Sequence, residues 1–553
     1  MSGQDEIVRA LADPAFHPHH PAEVRHHETH ISHVFVAGRF AYKLKKAVRF
    51  SFVDFSSVEE RRRICADEVR LNRRLCAPLY LGVREVVRRA DGTLALDGDG
   101  TPVEPLVWMR SLPERGMLPQ ALADGRVTRD ALETFARTLA TFHASPESAL
   151  DDPQRADPDV LAARWQHVLD DAVPMIGSVV SAPDHEVLVD FGRLFVVRHE
   201  SVLRGREPAG RFRDGHGDLH AGNLCLVEEK LPAEAGAPAL EPGLYAFDCL
   251  EFSPELRAND VASEVAFLAM DLDLHGESAL AERLVRRYAA LAGDPDLERP
   301  QRYFRLHYAV VRTMVEALRA DEASLPEPER LAARRRARRH AALAAGYALP
   351  PSLVLTCGLP GSGKSTLAAA LAVPLRALHL RSDVIRKEQA GLAPEVRGGA
   401  ALYAQEATER TYAELRRRAF ERWRPGAGGG EGPGVAGHVI ADAAFLRRAQ
   451  RQAFLAGVAG AAAAAAAERP WVVAELAVPS EELRRRLDAR RANPAEPSDA
   501  DAAVLEALRP GWQPPAEVPA AHLVACPPEL DDAVERCLDA LARQALATLP
   551  PPR

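Results

Sequence analysis

Residues 358–365 read G-L-P-G-S-G-K-S and match the pattern G-x-x-x-x-G-K-[ST] at every fixed position. Glycines let the backbone curl until several N–H groups face one anion, and the start of a helix adds partial positive charge at the same place. The apolar residues 353–356 predict a strand before this loop, and residues 365–371 predict a helix after it. A strand, a phosphate-binding loop (P-loop) and a helix in this order constrain the C-terminal part of the chain to an α/β fold.

The residues of this loop have separate chemical tasks. Lys364 is expected to reach the β- and γ-phosphates of ATP, and the Ser365 hydroxyl to ligate Mg²⁺. Further buried strands at 437–442 and 471–476 alternate with helices, which predicts a doubly wound parallel sheet. Asp442 ends one of them, either as an acid that orders Mg²⁺ through water or as an ordinary strand-end residue. The candidate nucleotide-binding residues here are Gly358, Leu359, Pro360, Gly361, Ser362, Gly363, Lys364, Ser365 and Thr366.

Two groups of polar residues follow the loop as candidates for substrate contact. Asp383 stands where the second strand should end and is a candidate general base, although an Asp before a helix is also a normal cap. Arg386 would then grip the substrate. Residues 481–491 form an arginine-rich helix whose Arg490 and Arg491 are lid candidates, with solvated surface arginines as the alternative. The region 351–545 resembles the gluconate-kinase, zeta-toxin and polynucleotide-kinase group of P-loop kinases.

A second phosphate-handling pattern lies earlier, at His216-Gly217-Asp218-Leu219-His220-Ala221-Gly222-Asn223. Asp218 and Asn223 have the spacing of the kinase loop H-R-D-x-x-x-x-N, so that Asp218 is the candidate catalytic base and Asn223 a metal ligand. Asp248, after a short apolar strand, is placed to bridge Mg²⁺ to the phosphates.

A lysine and a glutamate complete this pattern upstream. Lys43, in the predicted hairpin of residues 33–44, is the candidate phosphate lysine, and Glu68, in a predicted helix at 61–75, is its partner. Lys45 and Lys46 compete for the lysine role.

The loop at 216–223 resembles that of the aminoglycoside phosphotransferases, H-G-D-x-H-x-x-N, at every fixed position. The resemblance extends over about residues 25–320 and implies a bilobal, protein-kinase-like α+β domain. It also implies that His220 supports the loop and that Asp260 hydrogen-bonds it. A glycine-rich G-x-G-x-x-G loop is missing, and D-F-G is replaced by Asp248-Cys249-Leu250-Glu251. A catalytically silent relative is the alternative.

Composition limits the other classes of function. The net charge of −8 over 553 residues argues against bulk attraction to nucleic acid. A local basic groove in the C-terminal domain is the alternative by which nucleic acid could still bind. No apolar stretch is long enough to span a membrane, and seven scattered cysteines fit reduced thiols in the cytoplasm. Histidines cluster near the N-terminus, but their irregular spacing without an accompanying carboxylate or cysteine pattern argues against metal binding.

The order of parts resembles a bacterial family described as bifunctional aminoglycoside phosphotransferase/ATP-binding proteins. The shared pieces are residues 28–32, 42–46, 216–223 and 358–366. Domains are expected at 1–320 and 351–553, joined by a basic helical linker at 321–350. The resemblance implies two ATP sites and phosphate transfer to small hydroxyl compounds. An ATP-binding regulator and a polynucleotide-type kinase are the alternatives, and the acceptor and oligomeric state stay open.

Overall fold

The computed structural model describes residues 3–50, 53–150, 158–234, 237–394, 396, 398–423, 437–464, 469–490 and 500–548. The chain divides into two compact units. The first comprises Met1–Leu161 and His199–Phe304, and the second comprises Ala162–Arg198 and Arg305–Arg553.

The first unit begins with an antiparallel sheet in the order β1-β2-β3-β8-β6-β7. The predicted hairpin is formed by β2 and β3, and Gly38 at its turn has φ of +59°, which glycine adopts without strain. Buried Phe35, Leu44 and Leu106 pack on one side of the sheet. The elements are α1 (Gly3–Ala12), β1 (Val24–Glu28), β2 (Ser32–Ala37), β3 (Phe40–Lys45), β4 (Arg49–Phe50), β5 (Val53–Asp54), α2 (Val58–Cys76), β6 (Tyr80–Arg88), β7 (Leu94–Leu96) and β8 (Thr101–Arg110).

The chain then becomes mainly helical, with two short antiparallel pairs, β9 with β12 and β10 with β11. Helix α8 is buried along its whole length, and most of its residues are apolar. The elements are α3 (Leu118–Ala123), α4 (Arg129–Ala144), α5 (Pro158–Ala172), α6 (Ala182–Arg206), β9 (Phe212–Asp214), β10 (Leu224–Val227), β11 (Gly243–Ala246), α7 (Pro254–Arg257), β12 (Ala258–Asp260), α8 (Val261–Leu274), α9 (Ser278–Ala292) and α10 (Gln301–Asp321).

The second unit contains a parallel five-stranded sheet in the order β14-β15-β13-β16-β17, which confirms the predicted α/β class. The central strand β13 is buried at every residue, as expected for a parallel strand covered on both faces. The elements are α11 (Glu327–Ala348), β13 (Leu353–Cys357), α12 (Lys364–Leu375), β14 (Leu378–Arg381), α13 (Ser382–Gln389), α14 (Gln405–Trp423), β15 (Val439–Asp442), α15 (Arg448–Ala464), β16 (Trp471–Glu475), α16 (Ser480–Arg490), α17 (Ala502–Leu508), β17 (Leu523–Ala525) and α18 (Leu530–Ala547).

The segment expected to be a basic linker forms helix α11, which packs on α12 and α18. Its alanines Ala333 and Ala337 are buried, while its arginines carry the polar face. The seven cysteines are free thiols, and only Cys526 is partly exposed. None of the helices in the described part of the chain combines the length and apolar character that crossing a bilayer requires.

Candidate active sites

The first site is built around the lysines of β3. Side chains alternate along a strand, so that Lys43 and Lys45 lie on one face of the sheet. Both pair with Glu68 of α2, whose side chain is fully buried: Lys43 Nζ lies 2.9 Å from Oε1 and Lys45 Nζ lies 2.6 Å from Oε2. Lys46 follows them and pairs instead with Glu28, at 2.6 Å. The structure therefore brings Lys43 and Glu68 together and separates Lys46 from them.

Lys43 also contacts Asp248, with 2.5 Å between Nζ and Oδ1, whereas Lys45 pairs with Glu251. Burial alone would raise the pKa of the Asp248 carboxyl, but the ammonium of Lys43 outweighs it and lowers the pKa to about 2. Asp248 has φ of +62°, a conformation that L residues rarely adopt, and its N–H donates to Tyr80 Oη at 3.0 Å. Its side chain stays 43% exposed, so a ligand can reach the carboxylate.

The loop at 216–223 is anchored through His216, which is buried. Its backbone N–H donates to both carboxylate oxygens of Glu264, at 2.9 and 3.0 Å. Its Nε2 donates to the Phe247 carbonyl at 2.9 Å and its Nδ1 accepts from the Asp218 N–H at 3.3 Å. Burial lowers the pKa of this imidazole, which favours the neutral ring that such a donor–acceptor pair requires.

Asp218 and Asn223 contact each other directly. Asn223 Nδ2 donates to Asp218 Oδ2 at 2.9 Å and to the Asp218 carbonyl at 3.0 Å. Two backbone hydrogen bonds join this loop to the segment that carries Asp248: Phe247 N–H to Asn223 O at 3.0 Å, and Leu250 N–H to His216 O at 3.1 Å. These bonds place the three predicted polar residues of the first site on adjacent loops.

Asp260 does not hydrogen-bond this loop, and that prediction is wrong. It begins α8, where it accepts from the Ala262 N–H at 2.7 Å and pairs with the buried Arg206. Glu264 and Asp271 hold the loop instead; Asp271 accepts from the Ala221 N–H at 2.8 Å. These two acids are seven residues apart, or about two helical turns, so they share the face of α8 toward the loop. Acids at that spacing in a mainly apolar helix were the sequence signal for this role.

His220 accepts a hydrogen bond from the Gly222 N–H at 3.0 Å through Nδ1. Its Nε2 lies 3.5 Å from Asp218 Oδ2. The ring thus supports the turn of the loop, which is the role that the resemblance implied.

The second site begins at the end of β13. Gly358 and Gly361 have φ of +151° and +81°, and both are confined by neighbours. A Cβ at Gly358 would lie 2.7 Å from the Leu476 carbonyl oxygen, and one at Gly361 would lie 3.0 Å from that of Leu483. Both the backbone conformation and the close packing therefore require glycine at these positions.

Lys364 and Ser365 open helix α12, as expected. Lys364 Nζ donates to the Leu359 carbonyl at 2.7 Å. Asp442, at the end of the adjacent strand β15, is buried and accepts hydrogen bonds from His379 at 3.1 Å and from the Thr356 hydroxyl at 3.3 Å. Burial would raise the pKa of Asp442, but His379 and the nearby Ser365 hydroxyl lower it below its ordinary value. The parallel sheet thus brings Ser365 and Asp442 together, because the carboxyl ends of β13 and β15 lie at the same edge.

The predicted acceptor-side residues lie on α13. Asp383 is in its first turn, directly after β14. Arg386 is only 7% exposed and its Nη1 donates to the Leu402 carbonyl at 2.8 Å and to Thr408 Oγ1 at 3.1 Å. Its guanidinium also lies over the Tyr403 ring, 4.8 Å from the centroid. In this conformation Arg386 holds the segment that leads into α14.

The lid candidates fall at the edge of the described chain. Arg490 ends α16, and its side chain and the whole of Arg491 lie outside the described residues. Another arginine of the same helix reaches the P-loop: Arg486 Nη1 lies 3.6 Å from the position of a Cβ on Gly363, and its Nε donates to Glu482 at 2.6 Å. Arg486 lies on the P-loop side of α16 because of how that helix packs, and the arginine-rich sequence of the helix does not reveal that packing.

An apolar cavity of about 310 Å³ adjoins the P-loop. It lies among the P-loop, the end of β16, the start of α16 and an indole ring. Its lining residues are Leu359, Leu476, Ala477, Val478, Pro479, Leu483 and Trp512.

Comparisons with known proteins match both parts of the chain. The family described as "AAA domain" matches residues 353–515. Two uncharacterized proteins, from Mycobacterium tuberculosis and Mycobacterium bovis, are each 33% identical to the chain over 362 residues, which is 65% of this chain and 67% of theirs.

Among solved structures, the chain is similar to a choline/ethanolamine kinase family protein from Mesorhizobium loti, with 15% identity, a TM-score of 0.33 and coverage of 61% of this chain and 99% of that one. It is also similar to a gluconokinase from Sinorhizobium meliloti, with 18% identity, a TM-score of 0.25 and coverage of 36% and 95%. Both of these proteins are kinases by name. The likenesses are remote, and the roles of individual residues rest on the geometry of the two sites.

Proposed function

The chain belongs to the family of these two mycobacterial proteins, and we propose that it is a phosphotransferase that moves the γ-phosphoryl group of ATP to a hydroxyl group of a small molecule. One observation carries the proposal: Asp248, which pairs with Lys43 of β3, lies on a loop that backbone hydrogen bonds join to the loop of the Asp218–Asn223 contact. Phosphoryl transfer needs these four groups, a lysine for the phosphates, an acid that faces the hydroxyl, and two oxygen donors for a metal.

In the proposed reaction Asp218 accepts a hydrogen bond from the acceptor hydroxyl and takes its proton. The hydroxyl oxygen forms a bond to the γ-phosphorus as the bond to the bridging oxygen breaks, and ADP leaves. Lys43, held by Glu68, binds the phosphates of the nucleotide. His216 Nδ1 accepts a hydrogen bond from the backbone N–H of Asp218, and Asn223 Nδ2 donates to the Asp218 carboxylate, so both residues orient Asp218. The side chain of Asp218 is 33% exposed, which leaves it accessible to an acceptor.

The donors at this site fit Mg²⁺. Asn223 Nδ2 donates to Asp218, which leaves Asn223 Oδ1 as a possible metal ligand. Asp248 adds a carboxylate, and its lowered pKa keeps that carboxylate ionised. Mg²⁺ prefers such oxygen ligands together with phosphate oxygens. When bound, the ion would neutralise charge on the transferring phosphoryl group.

For the second unit we propose another ATP site. Lys364 would contact the β- and γ-phosphates, and Ser365 with Asp442 would hold Mg²⁺. The apolar cavity beside the loop suits a nucleobase, and Arg486, whose Nη1 lies beside Gly363, is placed to contact the phosphates. Asp383 stays the proposed base here, whereas Arg386 would need to leave its contacts in the chain before it could grip a substrate. A polynucleotide-type acceptor is the alternative for this site.

The finer assignments follow the same reasoning. We place the protein among the bifunctional aminoglycoside phosphotransferase/ATP-binding proteins, with a bilobal kinase-like domain at 1–320, a helical linker at 321–350 and a P-loop domain at 351–553. Free thiols at all seven cysteines are in keeping with a cytoplasmic protein. The competing hypothesis is an ATP-binding regulator whose kinase-like part is silent.

The test is phosphate transfer from γ-labelled ATP to a panel of amino alcohols, sugars, sugar acids and aminoglycosides. The full chain is compared with Asp218→Asn and Lys364→Ala, and with Glu255→Gln, which changes an exposed acid of α7, as the control. General-base catalysis contributes about 10²–10⁴-fold, so Asp218→Asn is expected to lower the labelling of first-site products by at least about 100-fold. Lys364→Ala is expected to abolish labelling only of second-site products.

The regulator hypothesis predicts that the chain binds ATP but transfers no phosphate to any compound of the panel. If the wild-type chain binds ATP yet labels no hydroxyl compound, the enzyme proposal fails. Equal labelling by wild type and Asp218→Asn would remove Asp218 from the catalytic role.

A further inference from the structure

Three side chains with metal-binding groups meet on the hairpin of β1 and β2. His26 and Glu28 are two residues apart on β1 and therefore share one face of the strand. His33 on β2 is the cross-strand partner of Glu28. The ligand atoms of all three residues lie within 4.8 Å of one another, and His26 Nε2 is 3.0 Å from His33 Nδ1.

The sequence concealed this group because its members are irregularly spaced along the chain. The irregular histidine spacing, with no accompanying carboxylate pattern, argued against a metal. The strand register supplies the carboxylate, since pairing of Glu28 with His33 brings it beside both imidazoles.

The group has the composition and size of a transition-metal site. Zinc takes histidine nitrogens at about 2.0–2.1 Å in tetrahedral geometry, which sets two such nitrogens about 3.3 Å apart. The observed 3.0 Å between the imidazole nitrogens is close to that separation, so a small widening would admit the ion. Two histidines and one carboxylate, with a water as the fourth ligand, form a common zinc ligand set.

We propose that His26, Glu28 and His33 bind a divalent late first-row transition metal ion of the zinc type. Imidazole ligands favour Zn²⁺, Ni²⁺ and Cu²⁺ over Mg²⁺, so this site is chemically distinct from the oxygen-lined sites proposed for Mg²⁺. The ion would tie β1 to β2 next to the turn that joins them.

The surroundings support a site that is accessible and of modest strength. His26 and Glu28 are exposed, and the His26 ring is stacked on Phe35 with 4.6 Å between centroids, which fixes its orientation. Lys46 Nζ lies 2.6 Å from Glu28 Oε1. The second carboxylate oxygen can serve the metal, but the nearby ammonium weakens the binding of a cation.

The proposal is tested by titrating Zn²⁺ into the tag-free, chelator-treated full chain in the presence of excess Mg²⁺. One Zn²⁺ is expected at this site. Glu28→Gln and His33→Ala are expected to weaken its binding at least about tenfold, because even outer-sphere changes cost about 10–100-fold. His27→Ala is the matched control, since this exposed histidine of β1 lies on the opposite face of the strand.

A second variant separates loss of the ligand from loss of the fold. Lys46→Gln removes the competing ammonium and is expected to bind Zn²⁺ about fivefold more tightly, a gain that misfolding cannot produce. Co²⁺ should give visible absorption bands in the wild type that Glu28→Gln and His33→Ala lack. The proposal is overturned if the wild type takes up no Zn²⁺ at micromolar concentrations, or if Glu28→Gln and His33→Ala bind it as the wild type does.

Discussion

Lys43 shows how one side chain can serve both the fold and the proposed chemistry. Its ammonium lies between Glu68 and Asp248, and its side chain is only 11% exposed. Burial would lower the pKa of Lys43, but the two carboxylates outweigh burial and raise it well above its ordinary value. The Lys43 ammonium that would hold the nucleotide phosphates is therefore already paired with carboxylates of the protein.

Replacing Lys43 should cost much stability, whereas replacing Lys46 should cost little. Lys43→Met breaks the buried Lys43–Glu68 pair, leaving Glu68 with Lys45 alone and Asp248 without the ammonium of Lys43. Breaking a buried pair costs about 3–5 kcal/mol. Lys46→Met breaks a pair in which the Glu28 side chain is 57% exposed, and such pairs contribute about 0–1 kcal/mol. Urea denaturation of the full chain, followed through the transition of the first unit, measures both. Equal stability of the two variants would contradict this account of the Lys43 pair.

At the scale of elements, α6 contains a buried acid that interacts with two acids and one arginine, Arg543, of α18. Asp184 is in the first turn of α6, where its N–H donates to Ser181 Oγ at 3.1 Å. Burial is the main cause that raises the pKa of Asp184 to about 7, and the charges of Asp539 and Glu535 on α18 raise it further. A carboxyl with a raised pKa stabilises the fold when protonated and destabilises it when ionised.

This carboxyl gives the second unit a pH dependence of known sign. The unfolded chain releases the proton near pH 4 and the folded chain near pH 7, so stability falls as the pH rises between these values. Between pH 5 and pH 8 the loss from this group is about 3 kcal/mol, at about 1.4 kcal/mol per pKa unit.

Asp184→Asn is expected to remove the loss of stability between pH 5 and pH 8. Glu186→Gln, on the exposed face of α6, is the control and is expected to show the same loss as the wild type. Urea denaturation at pH 5 and pH 8 measures the difference. Identical pH slopes for wild type and Asp184→Asn would show that the carboxyl is ionised in the fold.

At the scale of the whole molecule, the two proposed phosphate-binding sites have different architectures. In the first unit, an antiparallel sheet and buried ion pairs position the charged groups. In the second, a glycine-rich loop joins the end of a parallel strand to the start of a helix, an arrangement that generally suits an anion. The two units therefore predict two nucleotide sites that can be removed separately.

Titration with a non-hydrolysable ATP analogue and saturating Mg²⁺ is expected to give two nucleotides per chain. Asp248→Asn and Lys364→Ala should each reduce that number to one, and the double variant to none, because each change removes a charge at one site only. Arg485→Gln, an exposed arginine of α16 that pairs with Glu482, serves as the control. A single nucleotide bound by the wild type would contradict the proposal of two sites.

The sequence by itself determined the elements whose signals are local. The P-loop with its flanking strand and helix, the turn at Gly38 and the Asp218–Asn223 spacing all depend on neighbours within a few residues, and the structure contains them. Backbone conformation and helix or strand periodicity act over such distances. The parallel sheet of the second unit was predictable for the same reason, because alternating strands and helices permit few arrangements.

Only the tertiary structure decided which distant side chains meet. Asp260 looked suited to hold the loop at 216–223, yet Arg206 pairs with it, and the rotation of α8 presents Glu264 and Asp271 to that loop instead. Arg486 reached the P-loop through the packing of α16, and strand register brought Glu28 to two histidines. These contacts depend on how elements are oriented after they pack, and no local preference of the chain encodes that orientation.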